Sequence, residues 1–177
     1  IIGFTKALAN CIEDVRIERA GKELYAGVPT QLEATAQFAS EHFLAMDKDK
    51  ITELVKDFKK IGPIALTWEG RKRLGYHAPA IQQCLDMLPP DVMDKVSKYA
   101  NLVDGLPTGV RGYGDIDQDV SFKASHRACD MAELIAHEIA QEPDKEDEEH
   151  DASGDGNDSG TGSDGGGGAG GKRGGGV

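Results

Sequence analysis

The sequence is poor in features that mark membrane, secreted and metal-binding proteins. Aromatic residues make up only 6% of the 177 residues, and the three cysteines, Cys11, Cys84 and Cys129, lie far apart without the spacing of zinc ligands. An odd number of separated cysteines indicates buried, reduced thiols in an intracellular protein rather than disulfides. No apolar run approaches the ~20 residues that cross a bilayer, and no basic-then-apolar signal peptide opens the chain. These absences predict a soluble protein that is not secreted and does not bind a membrane.

Sequence patterns of catalysis are missing as well. The chain contains no Gly-x-Ser-x-Gly, no His-Glu-x-x-His and no phosphate-loop glycine pattern, and its five histidines are scattered. A site assembled from distant residues would escape such a search, but no local motif favours an enzyme. We therefore predict a protein that binds or assembles, with no catalytic residues and no cofactor.

Two groups of residues imitate metal sites only in part. Cys129 lies one helical turn from His126, but His137 is about three turns from His126, too far to bind the same ion. The three aspartates of residues 115–119 resemble the first half of a calcium loop. Val120 stands where that loop needs glycine, and His126 stands where it needs a bidentate carboxylate. We therefore predict no metal site.

Acidic residues outnumber basic ones by 31 to 20, but they are unevenly spread. Residues 142–177 carry ten of the acidic and three of the basic residues, so residues 1–141 keep 21 acidic and 17 basic residues and a net charge of only −4. This composition is compatible with basic patches on the part that folds. From residue 142 onward, the run of acids followed by glycine and serine offers no apolar side chains to bury, which predicts a disordered acidic and glycine-rich tail.

Helical periodicity runs through most of residues 1–141, because apolar residues recur every three or four positions and alternating β-branched residues are scarce. Glycine, proline and capping residues divide this part into about six segments. The expected fold is all-α, a single irregular multi-helix domain over residues 1–141 followed by the tail over residues 142–177. The predicted helices span about residues 4–21, 30–46, 49–62, 79–88, 91–105 and 121–139.

Local features define the predicted helix boundaries and faces. Gly62 and Pro63 should stop the third helix, since proline removes a backbone donor, and leave a broken stretch before the fourth. Residues 105–120, with four glycines and no helical periodicity, should form a long loop, and such loops are often functional. Ser121 should cap the last helix, whose inward stripe is expected to contain Phe122, Ser125, Cys129, Ala132, Ile135, Ala136 and Ile139.

Six basic residues fall within eighteen positions in the middle of the chain. They are Lys56, Lys59, Lys60, Arg71, Lys72 and Arg73. Lysines and arginines along one rim of a groove would bind phosphates without reading sequence, and Trp68 or Tyr76 could stack on a splayed base. An ordinary solvated helix face with a core tryptophan explains the same pattern equally well, so both interpretations stay open.

A second candidate contact is the glycine-rich sequence GVRGYG at residues 109–114. Glycines on both sides allow the backbone to approach a phosphate and leave Arg111 and Tyr113 free to reorient. The alternative is a flexible surface turn that contains one arginine.

Three segments together carry a family resemblance: KITELVKDFKKIGPIA, then RKRLGYHAPAIQQCLDML, and the closing helix HRACDMAELIAHEIAQE that leads into an acidic end. In this order they resemble the C-terminal lobe of nucleoproteins of non-segmented negative-strand RNA viruses, over about residues 45–150. The resemblance implies two helical lobes that clamp single-stranded RNA, self-association into a nucleocapsid, and a tail that recruits a viral phosphoprotein or polymerase. It also implies a location in the virion and the host cytoplasm.

We therefore interpret the chain as a fragment of a viral nucleoprotein that binds single-stranded RNA non-specifically through phosphate contacts and self-assembles. Its helical pattern already runs at Ile1, without a preceding Met, which fits a fragment. The alternative is a helical coat, scaffold or adaptor protein that acts through protein–protein contacts without RNA. The candidate RNA-binding residues are Lys56, Lys59, Lys60, Trp68, Arg71, Lys72, Arg73, Arg111 and Tyr113.

Overall fold

Residues 2–143 are described by the structure, a computed structural model, and seven helices account for 77% of them. The all-α fold predicted from the sequence is confirmed, with one small two-stranded sheet in addition. No helix in this part of the chain is both long and apolar enough to cross a membrane. The tail predicted for residues 142–177 lies outside the described residues, apart from Glu142 and Pro143. The elements are α1 (Ile2–Leu24), α2 (Val28–Leu44), α3 (Lys48–Val55), α4 (Phe58–Arg73), α5 (Pro79–Asp86), α6 (Pro90–Asp104), β1 (Val110–Gly112), β2 (Asp115–Ile116) and α7 (Gln118–Ala140).

The third predicted helix is two helices in the structure. Asp57 separates α3 from α4 and caps α4 by accepting a hydrogen bond from the backbone N–H of Lys59 at 2.8 Å. The prediction that Gly62 and Pro63 stop a helix is wrong, because α4 continues through both of them. Pro63 is only the sixth residue of α4, and the carbonyl that its missing N–H would have bonded belongs to Lys59, an exposed residue of the first turn.

The loop predicted over residues 105–120 contains a short hairpin, in which β1 and β2 pair in antiparallel orientation. Gly109 and Gly114 adopt positive φ angles of 81° and 72°, a conformation that glycine reaches without steric cost. A Cβ on Gly109 would also lie 2.8 Å from the carbonyl oxygen of Asp117. The backbone is therefore packed tightly at the base of the hairpin, and the prediction of a wholly irregular loop is wrong.

α1 is the central helix of the domain and packs against both α4 and α7. Gly70 lets α4 approach α1 closely, since a Cβ at this position would lie 2.6 Å from Cγ2 of Val15. α7 approaches α1 through a stripe of four buried alanines spaced four residues apart, from Ala124 to Ala136. α4 also packs on α5 and α6, and α2 packs on α5. Small residues thus determine how closely α4 and α7 lie to α1.

Arg16 joins α1 to α7 and to the segment that precedes the hairpin. It is 3% exposed and donates hydrogen bonds to the Glu13 carboxylate over 2.6 and 2.7 Å. Its guanidinium also donates to the hydroxyls of Ser121 and Ser125 at 3.2 Å and to the carbonyl oxygen of Thr108 at 3.4 Å. The buried charge is therefore both paired and hydrogen-bonded, as burial of an arginine requires.

The three cysteines differ in environment. Cys11 and Cys84 are buried, as predicted, and burial raises the pKa of Cys11 to about 12. The prediction fails for Cys129, which is exposed. This residue lies about 100° around the helix from Ala128 and so falls outside the alanine stripe that faces α1.

Candidate functional site

The arginines of the predicted basic cluster are bound by carboxylates of the domain itself. Arg71 of α4 holds Glu18 of α1 with N–O distances of 2.5 to 3.1 Å, and Glu18 is only 8% exposed. Arg73 binds Glu69 at 2.8 Å and Asp104 of α6 at 2.7 Å. These contacts hold α4 to α1 and α6 and neutralise the carboxylates of Glu18 and Glu69, which would otherwise be buried unpaired. Arg71 and Arg73 therefore already bind carboxylates, and the phosphate contacts predicted for them stay a prediction that would require these ion pairs to break.

The lysines near the start of α4 are exposed, but two of them face carboxylates one turn away. Lys56 lies 3.0 Å from Glu53, and Lys60 lies 3.5 Å from Asp57. Exposed pairs of this kind contribute about 0.2–1 kcal/mol, so a phosphate could displace the acidic partner. Each pair nevertheless places a negative charge beside the lysine, which lowers the positive potential that a nucleic acid would meet.

The predicted cluster is divided between the two ends of α4. Lys59 lies in the first turn and Lys72 in the last, about 20 Å apart along the helix axis. Lys72 is exposed and forms no ion pair with another described residue. The structure therefore shows two small patches that contain lysine, joined by a helix whose arginines are already paired.

The aromatic side chains predicted to stack on a base lie in the core. Trp68 is 2% exposed and packs edge-on against Phe43, with ring centroids 4.9 Å apart. Tyr76 is 7% exposed, and burial raises the pKa of its hydroxyl, with the Glu18 carboxylate adding to the effect. Neither ring can meet a base unless the core opens. The position of Trp68 fits the alternative interpretation of a core tryptophan, and the stacking role predicted for it stays a prediction.

The hairpin presents an exposed aromatic pair and an arginine that is already bound. Arg111 donates a hydrogen bond to Asp117, which also caps α7 by accepting one from the backbone N–H of Val120 at 3.0 Å. The hydrogen bond from Val120, followed by that from Arg111, lowers the pKa of Asp117 below its ordinary value. Tyr113 is 80% exposed and packs edge-on against Tyr25, with ring centroids 6.1 Å apart. Tyr113 is accessible as predicted, whereas Tyr25 was not among the predicted residues.

The partial metal motifs have other roles in the structure. Asp117 caps α7 and binds Arg111. His126 packs edge-on against Phe122, with ring centroids 4.6 Å apart. Among the described residues, no group of three or more His, Cys, Asp or Glu side chains lies close enough together to hold a metal ion.

Large apolar side chains are exposed on both α1 and α7. Ile2 is 87% exposed and Ile17 52% exposed on α1, and Phe122 is 66% exposed on α7. Positions 2, 6, 9, 13 and 17 follow helical spacing along one side of α1, as positions 122, 126, 129 and 133 do along α7. We call these two stripes the α1–α7 face; its residues are Ile2, Lys6, Ala9, Glu13, Ile17, Phe122, His126, Cys129 and Glu133.

A groove of about 410 Å³ runs between the two stripes. Its lining residues are Ile2, Thr5, Lys6, Ala9, Cys129 and Glu133. α1 and α7 run antiparallel, because residues early in α1 line this groove with residues late in α7, whereas Arg16 contacts Ser121 at the start of α7. Ile17 and Phe122 consequently lie toward one end of the face, and Lys6 and Glu133 lie toward the other.

The sequence pattern did not single out this face, because Phe122 and Cys129 fit the spacing of a buried stripe. The signal that could have revealed it is the second stripe on the same helix, the alanines from Ala124 to Ala136. A helix needs only one apolar stripe to pack against a core. A second apolar stripe on the same helix therefore indicates a face that binds a partner.

Three features of the domain therefore bear on its function: the internally bound arginines, the separated lysines and the α1–α7 face. The lysines are accessible, and two of them lie beside acids, whereas the exposed apolar side chains of the face lie on two adjacent helices. Comparison of the chain with known protein families, curated proteins and solved structures finds no match in any of the three.

Proposed function

We propose that the helical domain is a scaffold or adaptor that works by binding protein chains through the α1–α7 face. The observation that carries this proposal is the exposure of Ile2, Ile17 and Phe122 on two helices that lie side by side, with Ile2 lining the groove between them. Burying one such side chain is worth roughly 1.5–3 kcal/mol, so a partner that covers all three gains several kcal/mol from apolar contact. Single exposed apolar residues are ordinary, and Phe38 and Leu134 are exposed as well, but the α1–α7 face carries three of them on two adjacent helices with a groove between the helices.

The charge of the domain supports protein binding over RNA binding. Residues 1–141 carry a net charge of −4, and the arginines that could have formed a phosphate-binding groove are engaged with carboxylates of the domain. Non-specific affinity for nucleic acid arises from neutralising phosphates and releasing counterions, which requires uncompensated positive charge. The domain offers little of it in one place.

The proposal is tested by titrating a fluorescently labelled oligouridine with the full chain and measuring anisotropy at low and high salt. We expect no saturable binding even at low salt, where phosphate contacts are strongest. In parallel, light scattering should show the same mass with and without RNA. Saturable binding that weakens steeply as salt rises would overturn the proposal and restore the nucleoprotein hypothesis.

RNA encapsidation remains the second candidate, because Lys56, Lys59, Lys60 and Lys72 are exposed and the ion pairs of two of them are weak. This hypothesis predicts that Lys59→Glu with Lys60→Glu reduces RNA affinity and the salt dependence of binding, whereas Lys123→Glu, on exposed α7, has no such effect. The nucleoprotein hypothesis also includes recruitment of a phosphoprotein or polymerase by residues 142–177. Deleting those residues should then abolish binding of that partner.

A further inference from the structure

The α1–α7 face has the dimensions of one half of a small symmetric interface. α1 and α7 lie side by side from Ile2 to about Ile17, which corresponds to about 24 Å of helix, and two packed helices present a width of about 20 Å. The face therefore offers about 500 Å² per copy, or about 1,000 Å² for two copies, close to the lower limit for a specific interface. A partner of matching shape is a second pair of antiparallel helices.

The arrangement of charged and apolar groups on the face is self-complementary. Toward one end, Lys6 of α1 and Glu133 of α7 lie on opposite sides of the groove. Toward the other end, Ile17 of α1 and Phe122 of α7 are both exposed. A two-fold axis parallel to the helices would place α1 of each copy over α7 of the other while keeping each residue at its own level along the helix. Lysine would then meet glutamate, and isoleucine would meet phenylalanine.

We propose that a second copy of this chain covers the α1–α7 face, so that α1 and α7 of the two copies form an antiparallel four-helix bundle. This inference rests on the proposed function and names the partner. In the bundle, Lys6 of each copy pairs with Glu133 of the other, and Ile17 packs on Phe122 of the other. Because symmetry repeats every contact, each favourable pair acts twice.

The size of the interface sets the expected strength. An interface near 1,000 Å² with apolar contacts at one end and two rim ion pairs at the other is a reversible one, for which we expect a dissociation constant of roughly micromolar order. The dimer should therefore be observed by analytical ultracentrifugation of the full chain over protein concentrations from about 1 to 300 μM.

Charge reversal tests the pairing directly. Lys6→Glu alone and Glu133→Lys alone each bring like charges together twice in a homodimer, so each should weaken dimerisation by about tenfold. An equimolar mixture of the two variants should recover the native dissociation constant, because every cross-pair in the mixed dimer is again a lysine with a glutamate. Lys123→Glu, elsewhere on exposed α7, is the matched control and should leave the dimer unchanged.

A third variant tests the apolar end. Phe122→Asp should give a monomer with an unchanged helical circular dichroism spectrum, since the side chain is exposed in the isolated chain. A native chain that stays monomeric at about 300 μM, or a variant mixture no better than either variant alone, would overturn the proposed dimer. If either result is found and the chain also binds no RNA, the proposed protein binding still stands, but its partner is not a second copy of the chain. Saturable RNA binding would instead overturn the proposed protein-binding function.

Discussion

Arg71→Ala distinguishes a structural arginine from a phosphate contact. The guanidinium of Arg71 is bound to Glu18, whose side chain is 9% exposed. Removing one partner of a buried ion pair typically costs about 3–5 kcal/mol, because the other charge stays buried without compensation. The side chain of Arg71 is itself 19% exposed, so solvent can reach part of the vacated site, and we expect a loss of about 2–3 kcal/mol in the free energy of unfolding.

Urea unfolding, followed by the emission of the single tryptophan, measures this loss. The matched control is Lys72→Ala, at the next position and exposed, which should change the free energy of unfolding by less than about 0.5 kcal/mol. Combining Arg71→Ala with Glu18→Ala should cost less than the sum of the two single changes, because the unpaired carboxylate is then removed as well. If Arg71→Ala unfolds at the same urea concentration as Lys72→Ala, Arg71 has no structural role and is available to phosphate after all.

Three further changes test the packing, the buried network and the core. Gly70→Ala should cost about 1–3 kcal/mol through the clash with Val15, offset by the ~1 kcal/mol that alanine gains in helix propensity. In a Val15→Ala background the clash is removed, so the same change should be neutral or favourable. A double-mutant cycle measured by urea unfolding checks both values. The hydrogen bond from Arg16 lowers the pKa of Glu13 in the folded protein. Ionised Glu13 therefore adds to the free energy of unfolding above its unfolded-state pKa, and this contribution is lost as the pH falls through its folded-state pKa. Glu13→Gln should thus lower the melting temperature at about pH 7 but hardly at about pH 3, and equal losses at both would contradict this. The emission of buried Trp68 should not change when single-stranded RNA is added, and quenching in a fluorescence titration would show that the ring meets a base.

Helix periodicity predicted the all-helical class, but the local breakers were misread. Proline ends a helix when neither the missing hydrogen bond nor the clash of its ring with the preceding turn is accommodated. Pro63 lies near the start of α4, and Lys59, one turn before it, is an exposed residue. The break falls at Asp57 instead, where a side-chain cap begins α4. Both residues are visible in the sequence, but the choice between them depends on which turn is exposed, and exposure follows from tertiary packing.

The inward side of α7 could not be chosen from the sequence alone. Phe122 and Cys129 are more apolar than the alanines between them, so hydrophobicity favours the wrong side. The buried side of α7 combines the alanines with Ile135 and Ile139. Near the start of α7 the small side chains of Ala124 and Ala128 accompany a close approach of α1, in which Arg16 reaches Ser121 and Ser125. That contact exists only once α1 is in place, and it leaves Phe122 and Cys129 exposed.

The arginines at the contacts between helices and the lysines near the start of α4 bind carboxylates in different ways. This difference bears on which ligand the domain binds. Arg16 and Arg71 each grip a carboxylate with two nitrogens, whereas Lys56 and Lys60 make single exposed contacts. A planar guanidinium matches a carboxylate through parallel hydrogen bonds, while an ammonium group is a hydrated point charge. Folding therefore engages the arginines and leaves the lysines on the surface beside acids. A phosphate backbone would meet separated lysines there, two of them beside acids, whereas a protein partner would meet the exposed Ile2, Ile17 and Phe122 on α1 and α7. This contrast is the reason that we propose protein binding and not RNA binding.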